Sequence, residues 1–221
     1  EGLGAALVDY YLEQSGEGLI GVVLGTDDIS KTTTEIRDKG FAVADHTEGE
    51  GINFKDQQIR KWKNLFLPPE LTRGIFSFII QHTEGELPPF KTQEPSVINK
   101  LDHLVINTND ADGFIKIYKD IFGIRLALDK VIDHWKSRML FFRLNKTTIE
   151  VIEKKDDQDS NDRLWGLSWE VESIKEAHKR LVAEGIKVTP IKKGIKENTL
   201  VITIKSNTHN VPTLLIEHIK G

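Results

Sequence analysis

Residues 101–108 read LDHLVINT, an apolar run carrying one imidazole and ending in a polar turn. Its outline recurs twice, as GLIGVVLGT at 18–26 and as LWGLSWEV at 164–171. Working outward from each run, the apolar spacing changes to three or four, the period of an amphipathic helix. The apolar positions are Ile29, Thr33 and Ile36 in the first copy, Phe114, Ile117, Tyr118 and Ile121 in the second, and Ile174, Ala177 and Leu181 in the third. Asp28, Asp110 and Ser173 stand where N-caps are expected, and Gly40, Gly123 and Gly185 where left-handed C-terminal caps are expected. Short strand-like runs follow and close on FSFIIQH (76–82), TTIEVIE (147–153) and PTLLIEH (212–218). Three copies of one βαβββ module are therefore expected. Alignment on the opening strands brings Gly21, His103 and Gly166 together. Alignment on the closing strands brings Gln81, Glu150 and Glu217 together.

The segments between the copies set the expected organisation. Residues 83–97 (TEGELPPFKTQEPSV) hold three prolines and no periodicity, as a connection between domains does. Residues 154–163 (KKDDQDSNDR) are polar throughout and read as a loop inside one domain. The expected division is a partial domain over 1–90 with its single module at 18–83, a linker at 91–98, and a complete domain over 99–221 made of modules 99–153 and 164–221. Residues 1–17 carry Leu7, Tyr10, Tyr11 and Leu12 in a helix-like pattern that fits no fourth repeat.

Composition narrows the functions available. The chain of 221 residues is 38% apolar, enough for a sizeable core. Its formal net charge is −4, with no run of like charge longer than the patch around Asp156, Asp157 and Asp159, so neither nucleic acid nor an anionic membrane is an expected partner. No cysteine is present, which excludes disulfides, thiolate nucleophiles and cysteine metal sites. The same absence, with no apolar leader at the start, fits a cytoplasmic home. No glycine-rich phosphate loop, GxSxG elbow or HExxH helix occurs.

A lone βαβββ unit leaves one sheet face bare, and two such units side by side cover it by curling into a cup with helices outside. The LDHLVINT opening, the IFG after its helix and the IEVIE and LLIEH closings resemble the vicinal-oxygen-chelate superfamily, which includes glyoxalase I, bleomycin-resistance proteins and extradiol dioxygenases. The resemblance covers 99–221 as a module pair and 18–83 as one module. It implies an α+β fold of paired βαβββ modules forming a cup-shaped mixed sheet. For the single first module it implies either a partner module preceding residue 1 in a longer parent, or pairing with its copy in a homodimer.

In metal-dependent members of that superfamily, four places hold the ion: the opening and closing strands of both modules in a pair. Carried over, these are His103, Glu150, Gly166 and Glu217. Three can bind a divalent ion such as Mn²⁺, Zn²⁺, Ni²⁺ or Fe²⁺, and Glu150 or Glu217 would serve as the catalytic base. Strand alternation sends His103, Val105 and Asn107 into the cup, with Gly166, Ser168 and Glu170, Thr148, Glu150 and Ile152, and Leu215, Glu217 and Ile219. Arg143, with the parity of Met139 and Phe141, either pairs with a substrate carboxylate or forms a solvated strand edge. Asn107, Arg143, Gly166 and Ser168 are thus the expected substrate pocket, with Gly166 opening space in it. Trp135 and Trp165 are possible pocket walls, Trp169 reads as core by parity, and His82 and His218 are expected to face away. The implied function is a metal-dependent lyase, isomerase or dioxygenase-type enzyme acting on a small molecule with vicinal oxygens. The alternative is a metal-free cup that sequesters a small ligand, with the His–carboxylate group kept as a structural ion pair.

Overall fold

Each module is built on the same crossover: an opening strand, a helix on one face, and a closing strand that returns parallel to the first. The computed structural model describes residues 3–86, 94–132, 137–155 and 161–219. After α1 (Leu3–Ser15), the first module runs β1 (Gly21–Gly25), α2 (Ile29–Asp38), β2 (Thr47–Ile52), β3 (Ile59–Phe66), the short α3 (Pro69–Thr72) and β4 (Phe76–Glu84). The second runs β5 (Ile98–Thr108), α4 (Ala111–Ile115) continuing as a π-helical stretch (Lys116–Ile121), β6 (Arg125–Ile132), β7 (Ser137–Leu144) and β8 (Thr147–Glu153). The third runs β9 (Arg163–Val171), α5 (Ile174–Ala183), β10 (Lys192–Lys193), β11 (Thr199–Ile204) and β12 (Thr213–His218). The pairs β1/β4, β5/β8 and β9/β12 are parallel.

Local chemistry sets the helix ends. The side chains of Asp28, Asp110 and Ser173 accept from the backbone N–H groups of Lys31, Gly113 and Glu176, satisfying donors the helix leaves free. Gly40, Gly123 and Gly185 take φ of 89°, 69° and 76°, the left-handed region that ends a helix without a Cβ penalty.

Two sheets result, in the orders β1-β4-β3-β2 and β10-β11-β12-β9-β5-β8-β7-β6. The second and third modules join edge to edge through antiparallel β5 and β9, which pair His103 with Ser168 and Val105 with Gly166. This is the expected α+β arrangement of paired modules with mixed sheets. The first module keeps its opening strand β1 as an edge. Its face away from α2 carries Phe66, Phe76 and Phe78 in mutual ring contact, with Tyr11 of α1 against Phe76 at 5.9 Å.

The sheets divide between β4 and β5, but the apolar core does not. Leu24, Ile29, Ile36, Leu65 and Ile79 of the first module form one buried cluster with Ile106, Phe114, Leu140, Phe142 and Ile149 of the second. Arg73, itself left-handed at φ 52°, clamps this junction. Its guanidinium donates to both carboxylate oxygens of Asp162 (2.6 and 3.2 Å) and to Asp110 and Thr108, while the Asp162 N–H donates to the Arg73 carbonyl. The Lys39 ammonium donates to the carbonyls of Asp120 and Ile121 at the end of the π-helical stretch. No helix among the described residues is long and apolar enough to cross a membrane.

Candidate functional site

Burial fixes which face each strand presents. On β5, Ile106 and Thr108 are buried beneath the helices, so His103, Val105 and Asn107 stand on the opposite, open face. On β8, Ile149 and Val151 are core, leaving Thr148, Glu150 and Ile152 open-side. On β9, Trp169 and Val171 pack with α5, so Gly166, Ser168 and Glu170 face the open side. Leu140 and Phe142 are core on β7, which puts Arg143 on the open face, donating to Thr148 Oγ1 at 2.7 Å. His103, Glu150, Asn107, Arg143 and Ser168 thus share one face.

Glu217 does not join them. On β12 it is Leu215 that enters the α5 core, so Glu217, of the same parity, lies on the helix side and accepts from the Ile174 N–H at 2.7 Å. Gln81 accepts likewise from Ile29 (3.1 Å) and Glu153 from Ala111 (3.4 Å). The true equivalents on the closing strands are therefore Gln81, Glu153 and Glu217, and the counterpart of Glu150 is Leu214. The sequence alone does not separate Glu153 from Glu150, since each follows an isoleucine, Ile152 or Ile149; the helix N–H that each closing residue receives does. With this correction Leu214, Ile216 and His218 take the open side, and His218 faces the site instead of turning away.

Gly166 does not open space either. A Cβ there would meet the Pro212 carbonyl oxygen at 2.6 Å and the Pro212 Cβ at 3.1 Å. Gly21, its counterpart, stands equally close to Phe76. Glycine at this place is thus a packing requirement of the closing strand.

The polar centre is wider than the expected set. A register shift between Leu101 and His103 breaks the alternation of β5 at Asp102. Asp102 accepts from His103 Nδ1 and from His218 Nε2, both at 2.7 Å. His218 Nε2 also lies 3.6 Å from Glu170, whose carboxylate pairs with Lys100 at 2.9 Å. At the other end His103 Nε2 lies 3.7 Å from Glu150. The His103, Asp102 and Glu150 side chains are 17 to 19% exposed, within reach of a small solute but largely out of water. Burial alone would raise the Asp102 carboxyl, but the two histidine hydrogen bonds outweigh it and hold the group well below the usual carboxylate range. For Glu150 burial dominates and raises the carboxyl, opposed by the nearby His103 and reinforced by the negative Asp102.

Beside this centre the open face is apolar, with Val105, Met139, Val201 and Ile216 buried. Ser168 Oγ and Asn107 Oδ1 are buried there without a hydrogen-bond partner among the described residues. Trp169 packs with the α5 core, as its parity indicates. Trp165 is half-exposed and lines a separate cavity of about 210 Å³ with residues 15–20. Trp135 lies outside the described residues, as do Asp156, Asp157 and Asp159.

Comparison with known proteins agrees with this architecture. Residues 102–203 match the glyoxalase/bleomycin resistance protein/dioxygenase superfamily, and residues 3–122, more than half of the chain, match a glyoxalase-like domain. No curated protein matches the chain. Among solved structures, methylmalonyl-CoA epimerase from Mycobacterium tuberculosis is similar in fold, at 18% identity and a TM-score of 0.50, over 59% of this chain and 94% of that one. A hypothetical protein from Bacillus halodurans shows 15% identity and a TM-score of 0.47, over 55% and 96% of the two chains. A Streptomyces coelicolor methylmalonyl-CoA epimerase in complex with 2-nitronate-propionyl-CoA shows 13% and 0.47, over 56% and 100%.

Proposed function

The chain belongs to the glyoxalase/bleomycin resistance protein/dioxygenase superfamily, and from that premise we propose that its eight-stranded sheet carries a lyase- or isomerase-type site for a small molecule with adjacent oxygens. The observation that supports this is the Asp102–His103–Glu150 alignment. Asp102, by accepting from His103 Nδ1, fixes the tautomer and presents Nε2 toward Glu150. An imidazole and a carboxylate side by side in a half-buried site can take a proton from carbon beside a carbonyl and return it. Arg143, through Thr148 on the same face, is placed to meet a substrate carboxylate.

The four-place metal pattern is not met by these residues. His103 and Glu150 offer donors, but Gly166 offers none and is packed against Pro212, and Leu214 holds the fourth place. The proton-transfer steps therefore rest on His103 and Glu150 alone.

The test is hydrogen–deuterium exchange, followed by NMR, at the carbon beside the carbonyl of hydroxyketones and of carboxyl-bearing acyl-CoA thioesters. The thioesters are included because a neighbour in fold is a methylmalonyl-CoA epimerase. The native protein should catalyse exchange in at least one class. His103→Ala and Glu150→Gln should each lose about a hundredfold or more while keeping a cooperative unfolding transition. Tight binding without exchange would favour the second reading, a sequestering cup, for which the buried apolar side chains Val105, Met139, Val201 and Ile216 speak.

The aromatic face and β1 edge of the first module support a homodimer in which two copies of that module pair as the second and third do within the chain. Phe78→Asp should then convert a dimer into a monomer by light scattering, and a native monomer would refute the pairing.

A further inference from the structure

We propose that Asp102, Glu170 and His218 form a divalent-cation site, displaced along the sheet from the four places at which the superfamily pattern would put one. One ligand atom from each lies within 4.8 Å of the others. His218 Nε2 sits 2.7 Å from Asp102 Oδ1 and 3.6 Å from Glu170 Oε2. A bound ion with ligands at about 2.0–2.2 Å separates them by roughly 3–3.5 Å, a range that the two His218 distances bracket. A single imidazole N–H serves only one of the two carboxylates, and 3.6 Å is beyond a hydrogen bond. Glu170 thus stands beside His218 without bonding to it.

A second observation points the same way. Ser168, two residues before Glu170 on the same face and opposite His103, is 1% exposed and its Oγ has no partner among the described residues. A buried hydroxyl left unpaired is costly, and a water or substrate oxygen on the ion would satisfy it. One nitrogen and two carboxylate donors suit Mn²⁺, Fe²⁺ or Zn²⁺ with positions left for water or a ligand.

The site deepens the proposed function without depending on it. Asp102 would give Oδ1 to the ion and keep Oδ2 on His103 Nδ1, so that one carboxylate both anchors the cation and holds the imidazole that faces Glu150. Lys100, paired to Glu170, competes with the cation for the same carboxylate.

The experiment is titration of the metal-stripped protein with Mn²⁺ by electron paramagnetic resonance and with Zn²⁺ by calorimetry, neither of which needs turnover. The native chain should bind one equivalent. Glu170→Gln and His218→Ala should each weaken binding about tenfold or more, Lys100→Ala should tighten it, and Glu217→Gln should leave it unchanged. Absence of binding in the native chain overturns the proposal. So does loss of binding in Glu150→Gln with Glu170→Gln unaffected, which would return the ion to His103 and Glu150. Should the ligand variants fail to fold, unchanged affinity in Lys100→Ala overturns it as well.

Discussion

Asp102 escapes the alternation that governs its neighbours. Leu104, Ile106 and Thr108 turn toward the helices, His103 and Val105 away, and the register shift with β9 leaves Asp102 bridging two histidines. Strand periodicity makes His103 legible in the sequence, with Asn107 four residues on. Asp102 is not, because a bulge is set by the partner strand and leaves no local mark. Gly166 is the converse: the residue is plain in the sequence, but its meaning depends on Pro212, far along the chain. Tyr118 carries a pH dependence on the alkaline side. It is 3% exposed and stacked on Phe114 at 4.0 Å. Burial, reinforced by nearby Asp162, raises its phenol above the ordinary range. Folding thus favours the neutral form, a stabilisation fully present below about pH 10 and lost as pH rises through the folded value. Urea-unfolding midpoints should fall on the alkaline side for the native chain, and fall less for Tyr118→Phe.

At the level of elements, helix positions were the most legible part, since caps, glycine stops and apolar spacing are all local. Closing strands were harder. TTIEVIE contains two glutamates three residues apart, and the choice between them changes which face of β12 meets the site. Ile152–Glu153 is the true equivalent of Ile80–Gln81 and Ile216–Glu217, because each Gln or Glu receives the first free N–H of its own module's helix. Glu217 is accordingly a capping residue for α5. Glu217→Ala should destabilise the fold by about 1–2 kcal/mol, while Glu217→Gln, still an acceptor and isosteric with the Gln81 solution, should cost little. Thermal or urea denaturation of the pair checks this, and equal losses in both would mean that charge rather than acceptance matters.

For the molecule as a whole, the three repeats and their pairing were visible in the sequence, but the docking of the first module on the second was not. That contact uses helix-side residues such as Ile29, Ile36 and Phe114, which serve equally well in an isolated module's core. It also uses Arg73, in a stretch without periodicity. The Asp162 side chain is 1% exposed and its carboxylate is paired with the Arg73 guanidinium at 2.6 Å. Arg73→Ala should cost about 3–5 kcal/mol, the penalty of a buried charge left unpaired, measured as a shift in the urea midpoint. The native chain should unfold in a single transition, since one apolar cluster spans both sheets.

The same clamp means that the unit of repetition and the unit of stability have different borders. A recombination that swaps the first module for a relative's must carry along the surface it docks on, Thr108, Asp110 and Asp162 included. A module of this chain is therefore exchangeable only together with the surface it docks on, even though the modules are written as separate copies.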